Sequence, residues 1–146
     1  MRSKAISVGM TGLTLAALAF LAMPANAETV NFKADLAASS SVPPNTSKGT
    51  GVADVTYDTA SKMLTWTVTF SGLSGNATAA HFHGPADVGA NAGVAVPIPG
   101  TASPLAGSAT ITDAQSADLM AGKWYVNIHT AANKDGEIRG QVLMAK

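Results

Sequence analysis

The chain has 146 residues, nine basic and nine acidic side chains, and no cysteine. No basic block offers the counter-charge that nucleic acid or an anionic membrane requires, so neither is an expected partner. The missing cysteines exclude disulfide staples and thiolate metal ligands, and leave stability to an apolar core.

Residues 1–27 read as a secretory leader. Arg2 and Lys4 provide a positive start, an apolar run extends from about Met10 to Met23, and Ala25-Asn26-Ala27 supplies the small-x-small cleavage pattern. The run is shorter than the roughly 20 residues needed to cross a bilayer, and no cysteine is present for lipid attachment. The expected product is exported to the periplasm or the medium. It is a single domain over residues 28–146, with seven basic and nine acidic residues and a net charge of −2.

The mature chain is patterned mostly with period two. Val30, Phe32, Ala34 and Leu36 alternate with Asn31, Lys33 and Asp35, which predicts a half-buried strand. Ser39 to Lys48, with Pro43-Pro44, reads as a loop. Gly51–Tyr57 and Met63–Phe70 predict a hairpin, with Leu64, Trp66, Val68 and Phe70 on one face. A strand through His81 and His83 follows, ended by Gly84-Pro85. Residues 84–107 are Gly-, Ala- and Pro-rich and read as a long loop with one apolar island, Val94-Ala95-Val96. Ser108–Ile111 predicts a short strand. Thr112–Ala121 predicts the one helix, with Thr112 as N-cap, Gln115 three residues on, and Gly122 beyond the end. Trp124–His129 and Glu137–Leu143 are the last strands, joined through the turn signal Asn133-Lys134-Asp135-Gly136. Seven or eight short strands with one helix predict an all-β fold, an antiparallel Greek-key sandwich or barrel.

His81 and His83 are two apart in one predicted strand and so share a face, with Phe82 on the other. His129, the third and last histidine, ends a second strand on its polar face with Tyr125 and Asn127. Three imidazoles from two strands are a candidate metal site with a position left open. Pairing the apolar Ile128 with Ile138 sets Asn127 opposite Arg139 and His129 opposite Glu137. Arg139 then lies diagonal to His129 on the same face, within about 8 Å. The bland alternative makes the histidines ordinary polar-face residues and Arg139 a surface partner of Glu137 or Asp135. No Gly-x-Ser-x-Gly or other nucleophile arrangement points to hydrolysis. Asn45-Thr46-Ser47 and Asn76-Ala77-Thr78 match the short glycosylation pattern, a signal of low specificity.

Taken together, Thr78-Ala79-Ala80-His81-Phe82-His83-Gly84-Pro85-Ala86, Asn127-Ile128-His129-Thr130 and Gly136-Glu137-Ile138-Arg139-Gly140-Gln141 resemble the CHRD domain, the module first named from chordin. Phe32-Lys33-Ala34, Val42-Pro43-Pro44, Tyr57-Asp58 and Phe70-Ser71-Gly72-Leu73 fit the same family in the same order, so the resemblance spans the mature chain. Ser41 departs from it, standing where the family commonly has Glu. The resemblance implies an immunoglobulin-like or superoxide-dismutase-like β-sandwich. The histidine pattern further resembles the copper site of copper-dependent superoxide dismutases. On that likeness His81, His83 and His129 are expected to bind copper, with zinc as the alternative. Arg139 is expected to act as the catalytic cation that draws superoxide or another small anion. Tyr125 and Asn127 are expected to be second-layer groups that fix a ring tautomer. The competing expectation is a non-catalytic module for metal binding, copper storage or protein interaction.

Overall fold

The computed structural model describes residues 26–146. The leader expected over 1–27 lies, save its last two positions, outside them. Eight strands and one helix follow in the order β1 (Thr29–Ala37), β2 (Thr50–Asp58), β3 (Met63–Ser71), β4 (Ala77–His83), β5 (Val94–Ile98), β6 (Leu105–Thr110), α1 (Asp113–Met120), β7 (Trp124–Thr130) and β8 (Ile138–Met144). They form one antiparallel sheet in the order β5-β4-β7-β8-β1-β2-β3-β6. Its two end strands, β5 and β6, come into contact, so the sheet curls into a nearly closed barrel. The all-β reading and the single short helix are both borne out.

The alternation read from the sequence sets which way each strand faces. Phe32, Ala34 and Leu36 from β1, Ala53, Val55 and Tyr57 from β2, and Leu64, Trp66 and Val68 from β3 are all buried inside. Phe82 packs edge-to-face on Trp66 at 5.3 Å and tilted against Trp124 at 5.9 Å, joining the two halves of the wall. The helix caps as expected. Thr112 Oγ1 accepts from the Gln115 amide while Gln115 Oε1 accepts from the Thr112 amide, a reciprocal capping box.

The region read as one long loop, 84–107, is more regular than its composition suggests. It contains all of β5 and the first half of β6, leaving a true loop only at 84–93 and a short connection at 99–104. Pro97 sits in β5 opposite His81, where an end strand tolerates a missing N–H. Gly107, in β6, would bring an added Cβ within 2.7 Å of the Trp66 ring, so small residues here reflect close approach to a core aromatic. That requirement is what disguised the strand.

The last hairpin has the register deduced from the apolar positions. Ile128 pairs with Ile138 and Asn127 with Arg139. On the other side of β7, Tyr125 lies opposite His83, Asn127 opposite His81, and His129 opposite Ala79. The outward face of β4, β7 and β8 therefore presents two cross-strand rows, His83–Tyr125–Gln141 and His81–Asn127–Arg139, with His129 one row further on. This face is polar by sequence, yet the 84–93 loop crosses it as a strap and buries much of it.

Candidate metal centre

The strap is fastened by the strands beneath it. The Ala86 amide donates to the Lys123 carbonyl at 2.8 Å, Gln141 Nε2 donates to the carbonyls of Ala86 and Gly122, and Lys123 pairs with Asp87 at 2.8 Å. Asn91 Nδ2 reaches across to the Val42 carbonyl at 3.2 Å. Arg139, only 2% exposed, donates from Nη1 to Asn91 Oδ1 at 2.9 Å and from Nη2 to the Ala90 carbonyl at 2.5 Å. Its guanidinium also lies 3.5 Å from the centre of the Tyr125 ring. The bland reading of Arg139 as a surface ion-pair residue is thus corrected, because the strap covers it and supplies its acceptors.

Beneath the strap the three histidines converge. Their ring centroids are 5.4 Å (His81–His83), 5.1 Å (His81–His129) and 6.0 Å (His83–His129) apart. One nitrogen from each ring lies within 4.8 Å of the other two. For His83 and His129, which nitrogen this is follows from the hydrogen bond the ring makes to the main chain. His83 Nδ1 donates to the Ala92 carbonyl at 3.0 Å, and His129 Nδ1 to the Lys134 carbonyl at 2.7 Å. A carbonyl can only accept, so both rings carry their proton on Nδ1 and present a lone pair at Nε2. His81 Nδ1 stands 3.2 Å from His129 Nε2 and, with that nitrogen unprotonated, donates to it; His81 turns a lone pair toward a metal here once its proton moves to Nε2.

The geometry fits a small, nitrogen-preferring cation. Nε2 of His83 is buried with no hydrogen-bond partner, an expensive state for a polar atom unless a ligand meets it. Tetrahedral ligation at about 2.0–2.1 Å keeps nitrogens roughly 3.3 Å apart, close to the His81–His129 separation. The other nitrogen separations are at most 4.8 Å, so bringing the third nitrogen to that spacing closes a gap of no more than about 1.5 Å. Electrostatics favour the ligating, neutral form. Burial lowers the proton affinity of His81, and the nearby His129 lowers it further. For His83, burial again dominates; the Ala92 hydrogen bond opposes it, and His81, His129 and Arg139 reinforce it.

Tyr125 and Asn127 both lie against the cluster, but neither hydrogen-bonds to a histidine ring. Tyr125 stacks on His83 at 4.9 Å with an interplanar angle of 3°, while its hydroxyl donates to the Ala92 carbonyl and accepts from the Ala92 amide. Asn127 Nδ2 donates to the Asp135 carbonyl at 3.0 Å, fixing the turn that carries Lys134. The tautomers are instead fixed by the main-chain carbonyls of Ala92 and Lys134. Sequence reasoning missed these because a carbonyl leaves no side-chain signature; the turn motif 133–136, whose Lys134 lies five residues beyond His129, is the one usable hint. Beside His83 and His129 a depression of about 410 Å³ opens between Pro43, Asn91, Tyr125, Lys134 and Asp135.

Glu137 was also undervalued. Expected merely opposite His129, it is fully buried and accepts from Ser47 Oγ (2.5 Å), Ser74 N (2.7 Å), Ser74 Oγ (2.7 Å), Thr130 Oγ1 (2.6 Å) and Asn133 Nδ2 (3.3 Å). Burial pushes its carboxyl up, but the hydrogen bonds from Ser47, Thr130 and Ser74 outweigh that and hold it at about 2.

The family model described as CHRD domain matches residues 32–142, a span that contains all three histidines, Arg139 and Glu137. No curated protein and no solved structure gives a match.

Proposed function

The chain belongs to the CHRD domain family, and from that premise we propose that it is an exported domain that holds one copper ion through His81, His83 and His129. One observation carries the reading: the buried, unpartnered Nε2 of His83 faces a group of nitrogens that all lie within 4.8 Å of one another. A donor set of imidazoles alone suits copper, which outranks zinc in affinity for such ligands. The leader at 1–27 supports export. When bound, copper supplies one-electron redox chemistry, which zinc does not.

The chain's own residues prepare that site. Ala92 and Lys134 hold the protons of His83 and His129 at Nδ1, Tyr125 keeps the His83 ring in plane, and the strap shields the far side from water. The depression beside His83 and His129 leaves one approach. Lys134 and Asp135 line it as one cation and one anion, and the Arg139 guanidinium, close enough to act on His83, tips the balance toward a small anion; superoxide is the substrate we propose. A second reading, copper storage without turnover, is favoured by the burial of Arg139, whose donors are already engaged by the strap.

The test is to load residues 28–146 with Cu(II), titrate by calorimetry, record the EPR spectrum, and then assay superoxide decay. One equivalent bound with nitrogen hyperfine structure, and at least tenfold weaker binding in His83→Ala, is the expected result. An absence of saturable binding overturns the proposal. Tight binding with no effect on superoxide decay assigns storage.

A further inference from the structure

We propose that Glu137 is a positioning residue for this site: its buried carboxylate locks the 130–136 turn, and that turn holds His129 in the tautomer that presents Nε2. The inference rests on reading the three histidines as a metal site and adds a residue that touches none of them.

Burying a lone carboxylate is costly unless its lone pairs are met. Among the described residues no Lys or Arg pairs with Glu137. Its five hydrogen bonds come instead from three separate segments: Ser47 in the β1–β2 loop, Ser74 in the β3–β4 loop, and Thr130 with Asn133 at the β7–β8 turn. The main chain of the same residue is equally occupied. Its N–H donates to the Ile128 carbonyl at 2.7 Å, and its carbonyl accepts from Ser41 Oγ and Asn45 Nδ2. Hydrogen bonds to an ionised acceptor are roughly twice as strong as neutral ones, so the carboxylate ties these three segments firmly together.

From this junction a short hydrogen-bonded path leads to the site. Thr130 Oγ1 donates to Glu137 and accepts from the Asn133 amide at 3.2 Å, and the Asn133 carbonyl accepts from the Gly136 amide at 3.0 Å. Between those anchors lie Lys134 and Asp135. The first offers its carbonyl to His129 Nδ1, and the second offers its carbonyl to Asn127 Nδ2. Release of the carboxylate anchor leaves the turn on the main-chain bonds between Thr130 and Asn133 alone at that end, and so loosens the Lys134 carbonyl that holds the His129 proton at Nδ1. His83 is unaffected, because its acceptor, Ala92, belongs to the strap.

The experiment compares metal-free, 15N-labelled wild type with Glu137→Gln and Thr130→Val. Imidazole 15N shifts report which ring nitrogen bears the proton. The expected result is that His129 loses its Nδ1–H signature and averages between tautomers in both variants while His83 keeps its own. Affinity for Cu(II) and Zn(II) then falls about tenfold. A residue that only staples the fold would lower the melting temperature and leave the His129 pattern intact in the folded protein, and that result overturns the proposal. If Glu137→Gln does not fold, the near-isosteric Thr130→Val gives the same readout. A wild type that binds neither metal ends the metal reading, whereas the tautomer comparison still decides whether Glu137 acts on His129.

Discussion

Replacing His83 with Phe separates a site built for a ligand from a merely polar one. In the metal-free protein the buried Nε2 of His83 lacks a partner, a deficit of about 1–3 kcal/mol. Phe removes that deficit together with the Nδ1 bond to Ala92, which contributes about 0.5–1.5 kcal/mol. The Ala92 carbonyl keeps its bond from the Tyr125 hydroxyl, and a phenyl ring retains the parallel stack on Tyr125. The adjoining depression accommodates the slightly larger ring. The balance favours the variant by about 1 kcal/mol, or roughly 4 °C in melting temperature for a domain of this size. Metal at a hundredfold excess over Kd should stabilise wild type by about 2.7 kcal/mol, near 11 °C, and should leave His83→Phe unmoved. Differential scanning calorimetry with and without Cu(II) measures both quantities. A metal-free variant destabilised by more than about 2 kcal/mol, or one that retains the metal-induced shift, would refute this account of the unpartnered nitrogen.

Acid should weaken the fold through Glu137. Its carboxyl is held at about 2, below the ordinary value of 4.5, so its contribution is complete above about pH 5 and is lost as pH falls toward 2. The full shift corresponds to about 3 kcal/mol, of which about 2 kcal/mol is lost by pH 3. Urea midpoints between pH 6 and 3 should fall in wild type and stay flatter in Glu137→Gln; parallel curves would contradict this. Arg139→Met should unfasten the strap while leaving the barrel intact. Hydrogen exchange at residues 90–92 should quicken at least tenfold, with β2 and β3 unchanged, and equal protection would show that the guanidinium bonds are dispensable. Gly136 adopts φ +117°, and a Cβ there would stand 1.9 Å from Asn127 Oδ1. Gly136→Ala should therefore cost at least about 2 kcal/mol and weaken metal binding, as read from denaturation and calorimetry together.

What the sequence made legible is what period-two alternation controls. The β2–β3 hairpin, the inward Phe82, the outward histidines, and the Ile128–Ile138 register all follow from which face of a strand is apolar. Even the diagonal placement of Arg139 came from that rule. The path of residues 84–93 did not, because a loop's course over a surface depends on contacts distant in sequence, here with Val42, Lys123 and Gln141. Consequently the burial of Arg139 was hidden, as was the role of the Ala92 carbonyl. Glu137 was obscured for a related reason. Its partners, Ser47, Ser74 and Thr130, are ordinary hydroxyl residues scattered over more than 80 positions, and only the closed sheet gathers them.

The nearly closed sheet also divides labour around its circumference. Every imidazole, the guanidinium and the tyrosine stack come from β4, β7 and β8, whereas β2, β3 and β6 contribute only their inward apolar side chains to the common core. Outward positions on that opposite wall, such as Thr65, Thr67 and Thr69, face solvent away from the three histidines. Chemical change can therefore accumulate there under no constraint beyond solubility and strand propensity. The same wall is a natural attachment point for dyes, tethers or grafted epitopes, with the histidine-bearing wall left untouched.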